Sequence, residues 1–282
     1  MVLYLHGWGE SIDSLHVRRL AHGLNLAAFT VIAFDLDMHG LSMGHYNAWP
    51  AAIVAHCRSN ISPLTRASSH AVELAAIAAT EAHGKGLVVV GHSLGAGIAM
   101  LAIERIKAAL PHVLRGTVLI APANHADCEV FGLQRLRWWC CPCIYCCATC
   151  LCQCPCCTVS REAWAHRQSV PGEPSYGARR SWLAPCCLYY LPPSWGGLPD
   201  AEWWRHHSDV SYTMVRNEAD KIIMPQTVPM LRDAAPHGAL ELFEGAGHDF
   251  LVDVDENGTD VDWRRWLGRT VGLVQRMLTH NQ

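Results

Sequence analysis

With 282 residues, 50% of them hydrophobic, the chain can bury one large core, and its length fits one or two domains. A net charge of −3 without any long run of Lys or Arg excludes a nucleic-acid-binding stripe, so no nucleic-acid partner is expected. Only 17% of the residues are charged, which is low for a freely soluble protein and points to some contact with lipid.

The elements follow in chain order. Val2–Leu5 predicts a strand, Ser11–Leu26 a helix and Thr30–Phe34 a second strand. Ser68–Ala82 is rich in alanine, the strongest helix former. Leu87–Val90 is a buried-type strand, Leu94–Leu110 a helix and Thr117–Ile120 a further strand. From about 127 to 209 the alternation breaks down, and prolines, tryptophan pairs and cysteines dominate. It resumes with strand Tyr212–Val215, helix Gln226–Ala235, strand Leu240–Phe243 and helix Val261–His280. Short apolar runs alternating with longer helices predict an α/β fold, with a mostly parallel central sheet flanked by helices. We therefore expect a core in two parts, 1–126 and 211–282, interrupted by a Cys/Trp-rich cap insertion at 127–210.

Met1 leads straight into Val2-Leu3-Tyr4-Leu5, with neither a basic start nor an apolar run of the secretory kind. The fourteen cysteines are then expected as reduced thiols, metal ligands or S-acylation sites, in a cytoplasmic protein open to membrane association. A missing upstream segment would account for so abrupt a start, and it would leave Val2–Leu5 as an exposed, association-prone sheet edge.

The strongest chemical signal is Leu87-Val-Val-Val-Gly-His-Ser93-Leu-Gly-Ala. A strand running into Gly-x-Ser-x-Gly and then a small-residue helix is a nucleophile elbow. The serine sits on a strained turn, with Gly91 and Gly95 where backbone segments crowd. The following helix N-terminus aims its N–H groups at a developing oxyanion. Leu94 N–H is one expected donor. His6-Gly-Trp-Gly9, directly after the first strand, supplies the other through Trp8 N–H. Trp8 itself either lines an acyl pocket or simply packs in the core. His6 and His92 are expected to brace their loops rather than to act as bases.

Two further elements complete the chain order Ser…Asp…His. Tyr212-Thr-Met-Val-Arg-Asn-Glu-Ala-Asp220 is a strand whose exit loop carries an acid, and Leu240-Glu-Leu-Phe-Glu-Gly-Ala-Gly-His248 is a strand followed by a glycine-bracketed histidine. In such a triad, Ser93 is the nucleophile and His248 the base. Asp220 fixes the imidazole tautomer, with Glu218 or Asp209 as alternatives for the acid. Asp249 is expected to be a hydrogen-bonding residue of the loop.

These residues resemble the α/β-hydrolases, and within them the monoacylglycerol lipases and related lysophospholipases. The resemblance rests on His6-Gly-Trp-Gly-Glu-Ser11, Asp35-Leu-Asp-Met-His-Gly-Leu-Ser-Met-Gly44, Gly91-His-Ser-Leu-Gly95, Val118-Leu-Ile-Ala-Pro122, Asp220-Lys-Ile-Ile and Gly245-Ala-Gly-His-Asp249. It covers about 1–126 and 211–282, and places the family's triad on Ser93, Asp220 and His248. It implies the α/β-hydrolase fold and hydrolysis of carboxylic esters without a cofactor or catalytic metal. Asp37-Met38 stand where the family usually has Arg-Gly. Asn217 and Ala96 stand where it often has glycine. The cap matches no lipase cap.

Ten cysteines fall between Cys140 and Cys157, and nothing between Arg137 and Arg161 is charged. Three readings compete for this segment: a metal-thiolate site, from spacings such as Cys140-x-x-Cys143; an S-acylated membrane-interface segment, favoured by Trp182, Trp195, Trp203 and Trp204; and an inert biased insertion. The expected protein is a monomeric or weakly associated serine esterase acting on a small-molecule or lipid ester such as a monoacylglycerol or lysophospholipid. Its rivals are thioester, amide or C–C hydrolysis on the same fold, and an inactive hydrolase-like protein that binds metal or partners through its cysteines.

Overall fold

The central strands form one sheet because their runs are apolar and buried on both faces, whereas the two edge strands, Val31–Ala33 and Ala239–Phe243, are more open. The computed structural model describes residues 1–7, 10–36, 63–82, 85–124, 198–252 and 263–279. Within them the strands are β1 (Val2–Leu5), β2 (Val31–Ala33), β3 (Leu87–His92), β4 (Leu114–Ile120), β5 (Tyr212–Asn217) and β6 (Ala239–Phe243). They pair in the order β2-β1-β3-β4-β5-β6, all parallel. The described helices are α1 (Leu15–Leu26), α2 (Pro63–Glu81), α3 (Leu94–Ala109), α4 (Ala201–His207), α5 (Thr227–Ala234) and α6 (Trp263–Thr279).

Side chains alternate across a strand, so each strand feeds two cores. Leu3, Leu5, Val89, Leu119 and Met214 face one layer, where they meet Ala71, Ala75 and Ala78 of α2, Ile98 and Ile103 of α3, and Leu231 of α5. Val2, Tyr4, Val88, Val90, Val118 and Ile120 face the other layer, against Val17 and Leu20 of α1 and Trp266 and Val274 of α6. A parallel sheet covered on both faces requires such continuous apolar runs. The mostly parallel α/β architecture expected from the sequence is the one observed.

Differences from the expected elements have local causes. Helix α1 starts at Leu15 instead of Ser11, because Ser14 caps it by accepting the Val17 N–H, while Ile12 N–H donates to Asp35 Oδ1 at 2.8 Å. Helix α2 starts at Pro63 instead of Ser68; a proline suits a first helical position. The Ser68 hydroxyl is no cap and donates to the Thr65 carbonyl. Strand β3 continues through Gly91 and His92, and β4 begins three residues early, at Leu114.

Two expectations are corrected. Val2–Leu5 is not an exposed edge: β2 and β3 flank it, and its residues are no more than 1% exposed. The edges fall on β2 and β6, because α1 returns the chain outside β1 before it crosses to β3. Helix α4 was not expected at all. Asp200 caps it through the Trp203 N–H at 2.7 Å, and Trp204 is wholly buried in the core. Trp203 stacks on His207. Neither tryptophan therefore supports a membrane-facing surface. Among the described residues, no helix is long and apolar enough to cross a membrane.

Candidate active site

The chain turns to opposite sides of β1 when it builds β2 and then β3, and in parallel sheets such a switch point opens a crevice at the carboxyl ends of the strands. The loop after β1 and the turn after β3 both lie there. At that turn Ser93 adopts φ 53° and ψ −119°, a region that a side chain rarely occupies. Its surroundings hold it in place. Ser93 N–H donates to the Ile120 carbonyl at 2.9 Å, and its own carbonyl accepts from the N–H groups of Ala96, Gly97 and Ala123.

The two elbow glycines are dictated by space. A Cβ on Gly95 would sit 2.1 Å from the Leu5 carbonyl oxygen, and one on Gly91 would sit 2.6 Å from Ala96 Cα. Helix α3 then starts at Leu94, whose N–H belongs to the first turn, where no intrahelical acceptor exists and the helix dipole is positive.

Strand β5 delivers Asp220 three residues past its end, and β6 delivers His248 five residues past its own. The structure brings both to Ser93. His248 Nδ1 lies 2.8 Å from Asp220 Oδ2, and His248 Nε2 lies 3.0 Å from Ser93 Oγ. A carboxylate only accepts, so Nδ1 carries the proton and Nε2 is left to accept from the serine hydroxyl. Asp220 Oδ1 accepts the N–H groups of Ile222 and Ile223 at 2.7 and 3.0 Å. Burial alone would push the Asp220 carboxyl up. The hydrogen bond and charge of His248, with those two backbone donors, outweigh it and hold the group below its ordinary value. Asp220 is therefore an anion that orients its partner.

The alternative acids stand elsewhere. Asp209 is fully exposed and pairs with Lys107 Nζ at 2.7 Å, and Glu218 accepts the Gly245 N–H at 3.0 Å. The Asp249 carbonyl accepts the Val252 N–H within the loop. His6 braces as expected: Nδ1–H donates to the Gly7 carbonyl at 2.8 Å, and Nε2 accepts the Leu36 N–H at 3.0 Å. Burial lowers its basicity, which suits a neutral bracing imidazole. His92 Nε2–H donates to the His248 carbonyl at 2.9 Å. Leu94 stands at the helix start, as expected of an oxyanion donor, whereas Trp8 and the Cys140–Cys157 segment lie outside the described residues.

Three contributors escaped the sequence reasoning. Asn217 Nδ2 donates to the Gly247 carbonyl at 2.9 Å, fixing the histidine loop. Glu10 and His16 are buried beside the loop after β1, with His16 Nδ1 2.8 Å from Glu10 Oε1. Glu10 directly follows His6-Gly-Trp-Gly9, and that adjacency is the one signal that could have singled it out.

These buried groups make stability depend on pH from both sides. Burial pushes the Glu10 carboxyl up, but His16 and His92 outweigh it and hold it well below its ordinary 4.5. Burial pushes His92 down, and the hydrogen bond and charge of Glu10 reverse this, raising it above 6.5. The depressed Glu10 and Asp220 contribute stability above their ordinary values, which is lost as pH falls through their folded ones. The raised His92 contributes fully below 6.5 and loses that contribution as pH rises through its folded value. His6, held below 6.5 by burial, adds stability that is lost as pH falls through its folded value, so the melting temperature is expected to peak at about pH 6.5 and to decline on either side. Calorimetry at constant ionic strength checks this, and a melting temperature still rising at about pH 8 would contradict the His92 assignment.

Comparison with known proteins agrees with the fold. A sequence model of the alpha/beta hydrolase family matches residues 2–260. A lipase-esterase related protein from Clostridium acetobutylicum is similar in structure, with a TM-score of 0.59 and 13% identity over 96% of this chain and 93% of that one. The thioesterase domain of the curacin biosynthetic pathway reaches 0.56 at 18% identity, over 97% of this chain and 90% of that one. Esterase Pf2001 of Pyrococcus furiosus reaches 0.56 at 17% identity, over 98% and 81%. No curated protein sequence matches. At such identities the structural likeness carries the fold alone, but the family match runs from β1 to beyond the histidine loop, and on that match the chain belongs to the alpha/beta hydrolase family.

Proposed function

We propose that this chain is a serine hydrolase that cleaves carboxylic esters through an acyl-enzyme, with Ser93 as nucleophile, His248 as base and Asp220 as orienting acid. The observation that carries this reading is the line from Ser93 Oγ through His248 to Asp220, with links of 3.0 and 2.8 Å, set on a strained elbow at the start of α3. Ser93 Oγ attacks the ester carbonyl carbon as its proton passes to His248 Nε2. The oxyanion is held by Leu94 N–H, with Trp8 N–H as the second donor. Collapse breaks the acyl–oxygen bond, and the leaving alkoxide takes the proton from His248. Water then attacks the acyl-serine, loses its proton to His248, and releases the acid and free Ser93. The chain's own groups suffice, so no cofactor is required.

The finer reading is a monoacylglycerol or lysophospholipid substrate. Under it, the part of the 127–210 insertion that precedes α4 covers the site and touches the membrane surface, while 1–126, α4 and 211–282 form the catalytic core. What supports it is the likeness of the motifs to those lipases and the uncharged span between Arg137 and Arg161. A panel of 4-nitrophenyl esters of increasing acyl length, with a matched thioester and anilide, tests the reading. Turnover rising toward long acyl esters is expected. Preference for the thioester would move the assignment to that class, and no turnover of any acyl substrate by the folded protein would overturn it.

A further inference from the structure

A buried carboxylate is destabilising unless it is paired, and Glu10 is only 8% exposed. Its neighbours come from three separate parts of the chain. Glu10 Oε2 accepts the Gly7 N–H at 2.6 Å, so the carboxylate clasps the loop that follows β1. His16 of α1 brings Nδ1 to 2.8 Å from Oε1, and His92 of β3 brings Nδ1 to 3.6 Å from Oε2. His92 Nε2–H then donates to the His248 carbonyl.

Gly7 closes the arrangement from the other side. A Cβ there would lie 3.1 Å from Glu10 Oε2, 3.1 Å from His92 Nδ1 and 3.3 Å from Ser93 Cβ. The loop is thus packed directly on the carboxylate, the histidine and the nucleophile. His16 Nδ1 and His92 Nδ1 both face the carboxylate from buried positions, so the cluster is shut off from solvent. The His16 and His92 rings lie 4.4 Å apart, and those of His92 and His248 lie 5.0 Å apart.

We propose that Glu10 and His92 form a positioning relay that fixes the loop after β1 and the His248 loop relative to Ser93, with His16 packed against the carboxylate from α1. One end of the relay is the Gly7 amide, beside the loop that carries the Trp8 donor; the other is the backbone of the residue expected to act as base. This rests on the reading of Ser93 and His248 given above. Neither relay residue touches substrate, so each acts through another group.

The test uses Glu10→Gln, His92→Gln and His92→Phe in the full chain. Gln at 10 keeps an oxygen for Gly7 N–H but loses the charge. Gln at 92 places an amide donor near the position of Nε2, whereas Phe removes it. Displacing reacting groups by about 1 Å is worth about 10²-fold in rate. The expected result is a fall of that size in kcat, with KM little changed, for Glu10→Gln and His92→Phe, and at least partial recovery in His92→Gln. The proton NMR resonance of His248 Nδ1–H, which reads geometry without turnover, is expected to move in the first two and to return toward its original position in the third. If His92→Phe does not fold, Glu10→Gln carries the test through kcat, KM and the resonance. Unchanged kcat and resonance in Glu10→Gln, in an enzyme that does hydrolyse esters, would overturn the relay and leave the proposed function standing. A shifted resonance in a protein that hydrolyses no ester would uphold the relay and sink the proposed function.

Discussion

Ser93→Ala is expected to lower kcat for ester hydrolysis by on the order of 10⁶-fold while leaving the melting temperature close to that of the unaltered protein. The cause is local. Among the described residues the hydroxyl hydrogen-bonds to His248 Nε2 at 3.0 Å, while the strained backbone is held by bonds from Ser93 N–H and carbonyl that alanine keeps. Alanine therefore removes the nucleophile without releasing the turn. Steady-state hydrolysis alongside calorimetry checks both halves. A variant that kept more than about a hundredth of the activity would mean that another group attacks the substrate, since elsewhere the loss of such a serine is far larger.

Asp220→Asn should lower kcat by about 10⁴-fold for a different reason. Asp220 Oδ1 is committed to the N–H groups of Ile222 and Ile223, so an asparagine will turn its own oxygen to those donors and its NH₂ toward His248. Nδ1 must then accept, and the ring proton moves to Nε2. An Nε2 that carries a proton cannot take one from Ser93. The shape of the site survives and the tautomer is wrong. A pH–rate profile with the Ser93–His248 distance preserved would identify this cause, whereas a variant within about tenfold of the original would remove Asp220 from the proposed mechanism.

How much of this was legible in the sequence follows from what each feature depends on. Strand β1 was readable to the residue because both of its faces are buried, which turns Val2–Leu5 into an uninterrupted apolar run. The start of β4 was not, since Leu114-Arg115-Gly116 mixes charge and glycine and looks like a turn. Helix α4 was hidden by its seven-residue length and by the tryptophans and prolines around it, although Asp200 three residues before Trp203 is a capping signal. Ser93, Asp220 and His248 could be picked out because each follows a strand in a short loop, and chain order supplied their expected roles. Asn217 could not, because its partner is a carbonyl on the loop after β6, and for Glu10 and His16 only the adjacency of Glu10 to His6-Gly-Trp-Gly9 gave any signal. His92 reads as a bracing residue from its neighbours alone, but only the fold shows that it bridges Glu10 to His248.

The most direct test of the central claim is the site of covalent modification by a fluorophosphonate, read by intact mass and peptide mapping. One adduct per chain is expected, on Ser93, absent from Ser93→Ala and slowed in Asp220→Asn. A folded protein that takes no adduct, or takes it on a residue other than Ser93, would contradict that claim.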